Sequence, residues 1–175
     1  MSGLMLIEPS KEYEKQALEY RQEYIDYGEQ HINGSCGLIH YTNYDEWLEK
    51  VRLAQKAETS FVNVPATTYF SVRVTDNTIV GTIQLRHELT DELRECGGHI
   101  GYGIRPSERK KGYGTQQLQL VLLKAKELCI PKVMITCDKD NTNSRKLAQK
   151  NGGVLEWEGF SEKAETDIQI YWIEV

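Results

Sequence analysis

The sequence predicts an α/β domain organised on a mixed sheet, and three observations carry that prediction. Thr67 to Val74 and Thr78 to Leu85 are rich in β-branched and aromatic residues and flank Asp76-Asn77, the pattern of an antiparallel hairpin. His99 to Ile104, a helical stretch opening at Gly112, and the unalternating apolar run Lys132 to Cys137 make a strand–helix–strand unit, which crosses over right-handed and covers its second strand on both faces. Val154 to Glu158 and Ile168 to Ile173 close the chain as a further antiparallel pair. The expectation is one domain over residues 1–175, with about seven strands and about four helices.

Taken in order, Leu4 to Ile7 is a first strand that ends at Pro9, and Ser10 is placed to cap a helix from Lys11 to about Tyr27. Tyr13, Ala17, Tyr20 and Tyr24 recur on one face of it, a stripe expected in the core, and Gly28 ends it. Glu29 to Tyr44 has no period and holds His31, His40 and Tyr41, a long loop of the kind that often binds ligands. Asn43 and Glu46 resemble a capping box before a second helix marked by Trp47, Leu48, Val51 and Ala54 and ending near Glu58. Gly81 suggests a bulge in the return strand, and Thr90 to Gly97 a polar connection. His99 to Ile104 places Ile100, Tyr102 and Ile104 on one face and Gly101 and Gly103 on the other, inviting a ligand or another backbone close to the sheet. Leu118, Val121, Leu122, Ala125 and Leu128 stripe the next helix, which Pro131 stops. Asn141 caps a shorter helix from Thr142 to Lys150 that ends at Gly152-Gly153.

Composition narrows the function. The formal net charge of −5 does not favour nucleic acid as a partner. Apolar runs fall far short of a membrane span, and Met1 to Pro9 lacks the basic start of a secretion signal, so a soluble cytoplasmic protein is expected. Cys36, Cys96, Cys129 and Cys137 have neither pair spacing nor matching histidines, so no metal site and no disulfide framework is expected.

The chemistry concentrates between Tyr102 and Thr115. Pro106 ends the strand, and Gly112 and Gly114 allow tight curvature. The first N–H groups of the following helix, at about Lys111 to Thr115, have no intrahelical acceptor, and Arg109, Lys110 and Lys111 add positive charge. That arrangement suits a phosphate or pyrophosphate. A P-loop is excluded because no Gly-Lys-Ser/Thr follows, and Gln117 stands where a dinucleotide fingerprint needs its third glycine.

Arg109-Lys110-Lys111-Gly112-Tyr113-Gly114 resembles the acyl-CoA signature of the GNAT N-acetyltransferase superfamily, Arg/Gln-x-x-Gly-x-Gly/Ala, and Asn141 to Gly153 is similar to its second, Asn-led helix. Pro65 to Tyr69 and Leu85 to Leu89 resemble a bacterial subgroup of predicted acetyltransferases. The resemblance implies that acetyl-CoA is a cosubstrate. Tyr102, Gly103 and Ile104 would pair with its pantetheine arm. The N–H groups of Lys110, Lys111, Gly112, Tyr113, Gly114 and Thr115 would hold its pyrophosphate with Arg109 outside it, and Asn141 and Ser144 would complete the cofactor contacts, Asn141 where two parallel strands splay. It further implies direct attack by a primary amine on the thioester, with the Ile104 backbone N–H polarising the carbonyl. The tyrosine that many relatives use to protonate the leaving thiolate falls at Ala148, which cannot donate a proton.

Candidate acid–base groups are His99 on the cofactor strand, and Glu88 and His87 beside a connection. His31, Tyr41 and Tyr171 are candidates for contact with the acceptor, a small-molecule or peptide amine, and the low net charge suits a basic one. The sequence leaves the oligomeric state open, a homodimer included. Because Ala148 leaves the proton donor without an owner, a non-catalytic acyl-CoA-binding module is the alternative reading.

Overall fold

The computed structural model describes residues 3–175. Among the described residues seven strands are divided between two sheets. The first is wholly antiparallel, in the order β1 (Leu4–Ile7), β2 (Ala66–Arg73), β3 (Thr78–Arg86), β4 (Ile100–Ile104). The second places β7 (Thr166–Glu174) between β5 (Lys132–Asp138) and β6 (Val154–Ser161), again antiparallel. The helices are α1 (Glu14–Asp26), α2 (Tyr44–Leu53), α3 (Asp91–Glu95), α4 (Tyr113–Glu127) and α5 (Thr142–Lys150).

Two cores lie on opposite faces of the first sheet. The tyrosine stripe of α1 and Trp47 and Val51 of α2 pack on Phe70, Val72 and Ile79. The stripe is buried as expected, and Tyr20 and Tyr24 hydrogen-bond each other at 3.2 Å. On the other face Leu118, Val121 and Ala125 of α4 meet Ile83, Leu85 and Ile100 of the first sheet and Val133, Ile135 and Tyr171 of the second. Each such fully buried aliphatic side chain contributes about 1.5–3 kcal/mol. Helix α4 is therefore the element that fastens the two sheets together.

Four expectations need correction. The single mixed sheet is two sheets meeting at one point. The stretch after Thr90 is a short helix, because Thr90 Oγ1 accepts the Leu93 N–H and Asp91 and Glu92 suit its first turn. Ser10 does not cap with its side chain; a 3₁₀ turn at Lys11–Tyr13 intervenes, and the Ser10 carbonyl instead accepts from the Tyr44 hydroxyl at 2.8 Å. Helix α2 stops at Leu53, short of Glu58. The bulge expected near Gly81 is present: Ser71 pairs with Gly81 and Val72 with Ile79, leaving Val80 as the extra residue.

Candidate active site

The site begins where the two sheets separate. The His99 N–H donates to the Met134 carbonyl at 2.8 Å, a single backbone rung between the chain entering β4 and β5. The next donor along β5, the Met134 N–H, goes to the His99 Nδ1 at 2.9 Å rather than to a backbone carbonyl. The imidazole thus takes the place of the next rung, and among the described residues the strands make no further backbone bond. His99 is 6 % exposed, and burial, with Arg94 and Arg86 nearby, pushes its pKa down to about 4. It is a neutral ring whose Nδ1 is an acceptor already in use.

Beyond this seam one edge of β4 is open. The Arg105 N–H donates to the Val80 carbonyl, so alternation turns the backbone groups of Gly103 and Gly101 toward β3 and those of Tyr102 and Ile104 toward β5. The Ile104 carbonyl is occupied by Arg109 Nε at 2.9 Å; the Tyr102 and Ile104 N–H groups have no partner across the gap among the described residues. The side chains of Ile100, Tyr102 and Ile104 lie on the α4 face. Tyr102 packs against the core there, and its hydroxyl reaches Ser144 Oγ on α5 at 2.5 Å. Burial pushes the Tyr102 phenol up to about 12, against the lowering effect of that bond. Ser144 is itself held by the cap of its helix, Asn141 Oδ1 accepting the Ser144 N–H at 3.1 Å. Cys137 borders the same group; burial raises its thiol pKa, and its contact with Ser144 opposes that.

The turn after β4 is fixed by ion pairs on its flanks. Arg105 Nε bonds Glu23, whose second oxygen accepts the Ser107 N–H at 2.7 Å. Desolvation would raise the Glu23 pKa, but the Ser107 N–H and the Arg105 guanidinium outweigh it and hold it below its ordinary value. Lys111 bonds Glu108, which Arg73 also grips. Lys110 adopts φ +63° and Gly112 φ +85°, and Gly112 stands as the N-cap of α4 with no side chain capping the helix. The first-turn N–H groups of α4 are therefore open, as expected for an anion seat.

Several predicted residues sit otherwise than their motif suggests. The Arg109 guanidinium is engaged by Glu29 through both Nη atoms and by the Ile104 carbonyl, so it braces the turn. A Cβ at Gly114 would lie 2.8 Å from Leu147 Cδ1, so this glycine serves the crossing of α4 over α5 rather than approach to a ligand. Gly101 and Gly103 accommodate another backbone, one of the two occupants the sequence allowed: Cβ atoms there would stand 3.3 Å from Gly34 N and 3.0 Å from Asn33 O. Glu88 is exposed just past the Arg86 end of β3. The antiparallel register, Gly81 with Ile104 and Leu85 with Ile100, sets it at the opposite end of β4 from Ile104. His87 bonds Thr67 Oγ1 at 2.9 Å. Tyr171 is 1 % exposed and donates to Gln169 Oε1, so its place is the core. His31 and Tyr41 lie on the long loop, His31 exposed and edge-on to His40. The Tyr102–Ser144 hydroxyl pair was not foreseen as a unit; its signal was the serine one helical turn before Ala148.

A strand pair that splays, an open strand edge and an uncapped helix N-terminus between them define an acyl-CoA-dependent acyltransferase architecture. The family model described as "Acetyltransferase (GNAT) domain" matches residues 39–154, most of the chain, which therefore belongs to the GNAT acetyltransferase family. No curated protein matched the sequence. Among solved structures, the ribosomal L7/L12 α-N-protein acetyltransferase RimL in complex with coenzyme A superposes with a TM-score of 0.72 at 17 % identity, covering 100 % of this chain and 96 % of that one. The Salmonella typhimurium acetyltransferase that modifies the N-terminal serine of L7/L12 gives 0.68 at 18 % identity, with 100 % and 96 % coverage. The microcin C7 self-immunity acetyltransferase MccE, in complex with acetyl-CoA and AMP, gives 0.69 at 18 % identity, with 99 % and 93 % coverage. At these identities the neighbours establish the fold. Among the described residues no helix is long and apolar enough to cross a membrane.

Proposed function

We propose that this protein transfers the acetyl group of acetyl-CoA to a primary amine by direct attack within a ternary complex. The observation that carries the reading is the open edge of β4, with the unpartnered N–H groups of Tyr102 and Ile104 leading to the uncapped start of α4. The described residues fit the cosubstrate: the strand edge offers donors to an amide-bearing arm, and the N–H groups of residues 113–115 offer an anion seat that Lys110 and Lys111 flank.

Acetyl-CoA supplies a thioester activated toward amines. In this reading the Ile104 N–H stabilises negative charge developing on the carbonyl oxygen. The amine's nitrogen bonds the acetyl carbon as the carbon–sulfur bond breaks, and the sulfur leaves as thiolate. In place of the donor that Ala148 cannot provide, the Tyr102–Ser144 pair spends one hydroxyl hydrogen on its mutual bond and keeps one to donate. A phenol near 12 does not hand its proton outright to a thiolate of pKa ~8.5. The pair instead stabilises the thiolate by hydrogen bonding while solvent supplies the proton. His99 has its Nδ1 engaged and Glu88 lies at the wrong end of the strand, so the attacking amine loses its proton to water at the cleft mouth.

Calorimetry with acetyl-CoA tests the reading, together with release of free thiol in the presence of an amine panel. Saturable binding with turnover is expected. Gly112→Glu, which sets a carboxylate in the anion seat and strains φ +85°, is expected to abolish binding. An absence of binding at high micromolar acetyl-CoA refutes the proposal, and tight binding without turnover favours a sensor.

A further inference from the structure

The face of β4 turned away from α4 borders a second cluster that the chemistry above does not use. Arg86, at the end of β3, donates from Nη1 to the carbonyls of Gly97 and Gly98 at 2.8 and 2.9 Å. Its Nε is buried without a hydrogen-bond partner among the described residues, and its Nη2 lies 3.7 Å from where a Cβ on Gly101 would be. No carboxylate among the described residues lies in ion-pair range of it. Arg73, Arg105 and Arg109, by contrast, each face one. The contrast shows in their proton affinities. Asp76 raises that of Arg73 and Glu29 that of Arg109, whereas burial lowers that of Arg86.

A second cation approaches from α2. Lys50 has its ammonium 5.4 Å from the centre of the Tyr41 ring and 4.8 Å from that of Phe61, and 3.3 Å from the Cβ position of Gly37. It too has no carboxylate partner among the described residues. Both cations act electrostatically on the buried Cys36, which also interacts with Gln84 and Thr68, themselves bonded at 3.0 Å. A guanidinium needed only to pin the Gly97–Gly98 turn would not leave its Nε orphaned inside the protein, since an unpaired buried donor costs free energy.

We propose that Arg86 and Lys50 form the anion-binding half of the acceptor site, so that the amine acetylated by this protein carries a carboxylate. This inference rests on the acetyltransferase reading above. It reverses the basic acceptor that the overall charge of −5 suggested, because recognition follows the local field of two uncompensated cations rather than the net charge. A planar carboxylate suits the remaining guanidinium donors, and Lys50 adds a point charge at the loop side.

The test compares acceptors in matched pairs: free amino acids against their carboxamides, and peptides with a Glu side chain against the same peptides with Gln. Turnover of the acids at ten- to a hundredfold higher kcat/KM is expected, the range of one charge-assisted contact. The two sets distinguish an α-carboxylate from a side-chain one. Lys50→Met, which touches no backbone carbonyl, is expected to lower kcat/KM for the acids about tenfold and to leave the amides and acetyl-CoA affinity unchanged. Arg86→Lys is expected to lose the same preference more completely, its folding checked by thermal melting. Equal use of acids and amides, a preference for cationic amines, or an equal effect of Lys50→Met on both members of each pair overturns the proposal. So does failure of every acid to be acetylated or to bind while acetyl-CoA binds normally. Loss of acetyl-CoA binding in the parent protein refutes the function reading instead.

Discussion

Removing the hydroxyls at the cleft one at a time gives the sharpest test of the chemistry. In Tyr102→Phe the ring remains in the core and only the oxygen 2.5 Å from Ser144 Oγ is lost. Ser144→Ala removes the other member and spares the cap, because Asn141 bonds the Ser144 backbone N–H. The stability cost of either change is that of one neutral hydrogen bond, about 0.5–1.5 kcal/mol. The catalytic cost is larger if the pair meets the leaving thiolate. A hydrogen bond to a charged group contributes about 1.5–3 kcal/mol, which is about ten- to 150-fold in kcat. Steady-state thiol release read beside calorimetric acetyl-CoA affinity separates the two costs. Both variants are expected to bind acetyl-CoA within about threefold of wild type, a difference under 1 kcal/mol, and to lose rate in the chemical step. The double variant is expected to fall no further than the worse single one, since the two oxygens act as one unit. Unchanged kcat in both single variants, under conditions where chemistry limits the rate, refutes the role assigned to the pair.

Two further outcomes follow from the geometry. His99 has its folded pKa pushed below its unfolded value of ~6.5, to about 4. Its contribution is therefore fully present above ~6.5 and lost as pH falls toward 4, up to about 3 kcal/mol. In His99→Asn the side-chain oxygen can still accept the Met134 N–H but does not titrate, so urea melts between pH 6.5 and 4 are expected to show a flatter slope; an unchanged slope assigns the acid loss to other groups. At Gly81 a Cβ would lie 2.4 Å from Gln117 Oε1 and 2.6 Å from the Gly103 carbonyl. Gly81→Ala is expected to cost about 3 kcal/mol and lower the Tm by about 6–12 °C, and a Tm shift under about 2 °C shows that β3 and β4 part more easily than their contact suggests.

Most of the fold was legible because it rests on periodicity. The α1 stripe of Tyr13, Ala17, Tyr20 and Tyr24 and the unalternating β5 run announce their burial directly, and the Asn141 cap has a local chemical signature. What escaped the sequence was long-range partnership. The pattern Arg-x-x-Gly-x-Gly marks the turn, but nothing local says that Glu29, 80 residues away, engages Arg109, or that Leu147 fills the space over Gly114. The low proton affinity of His99 depends on burial and on Arg94 and Arg86 nearby, and the meaning of Arg86 on there being no carboxylate in ion-pair range among the described residues, an absence a sequence cannot display.

The division into two sheets also bears on how the molecule assembles. Each sheet comes from one unbroken run of chain: β1 to β4 before residue 105, β5 to β7 after residue 131. Helix α4 packs on β1 and β3 and so travels with the first run, and the link between the runs is the short segment from Leu128 to Pro131. The strand pairing of each sheet is therefore complete within its own contiguous run of chain. Tyr102 belongs to one and Ser144 to the other, so their hydrogen bond forms only on docking, and a ligand lying along β4 and touching α5 would clasp the two. Hydrogen exchange at Met134, with and without acetyl-CoA, would read that clasp directly.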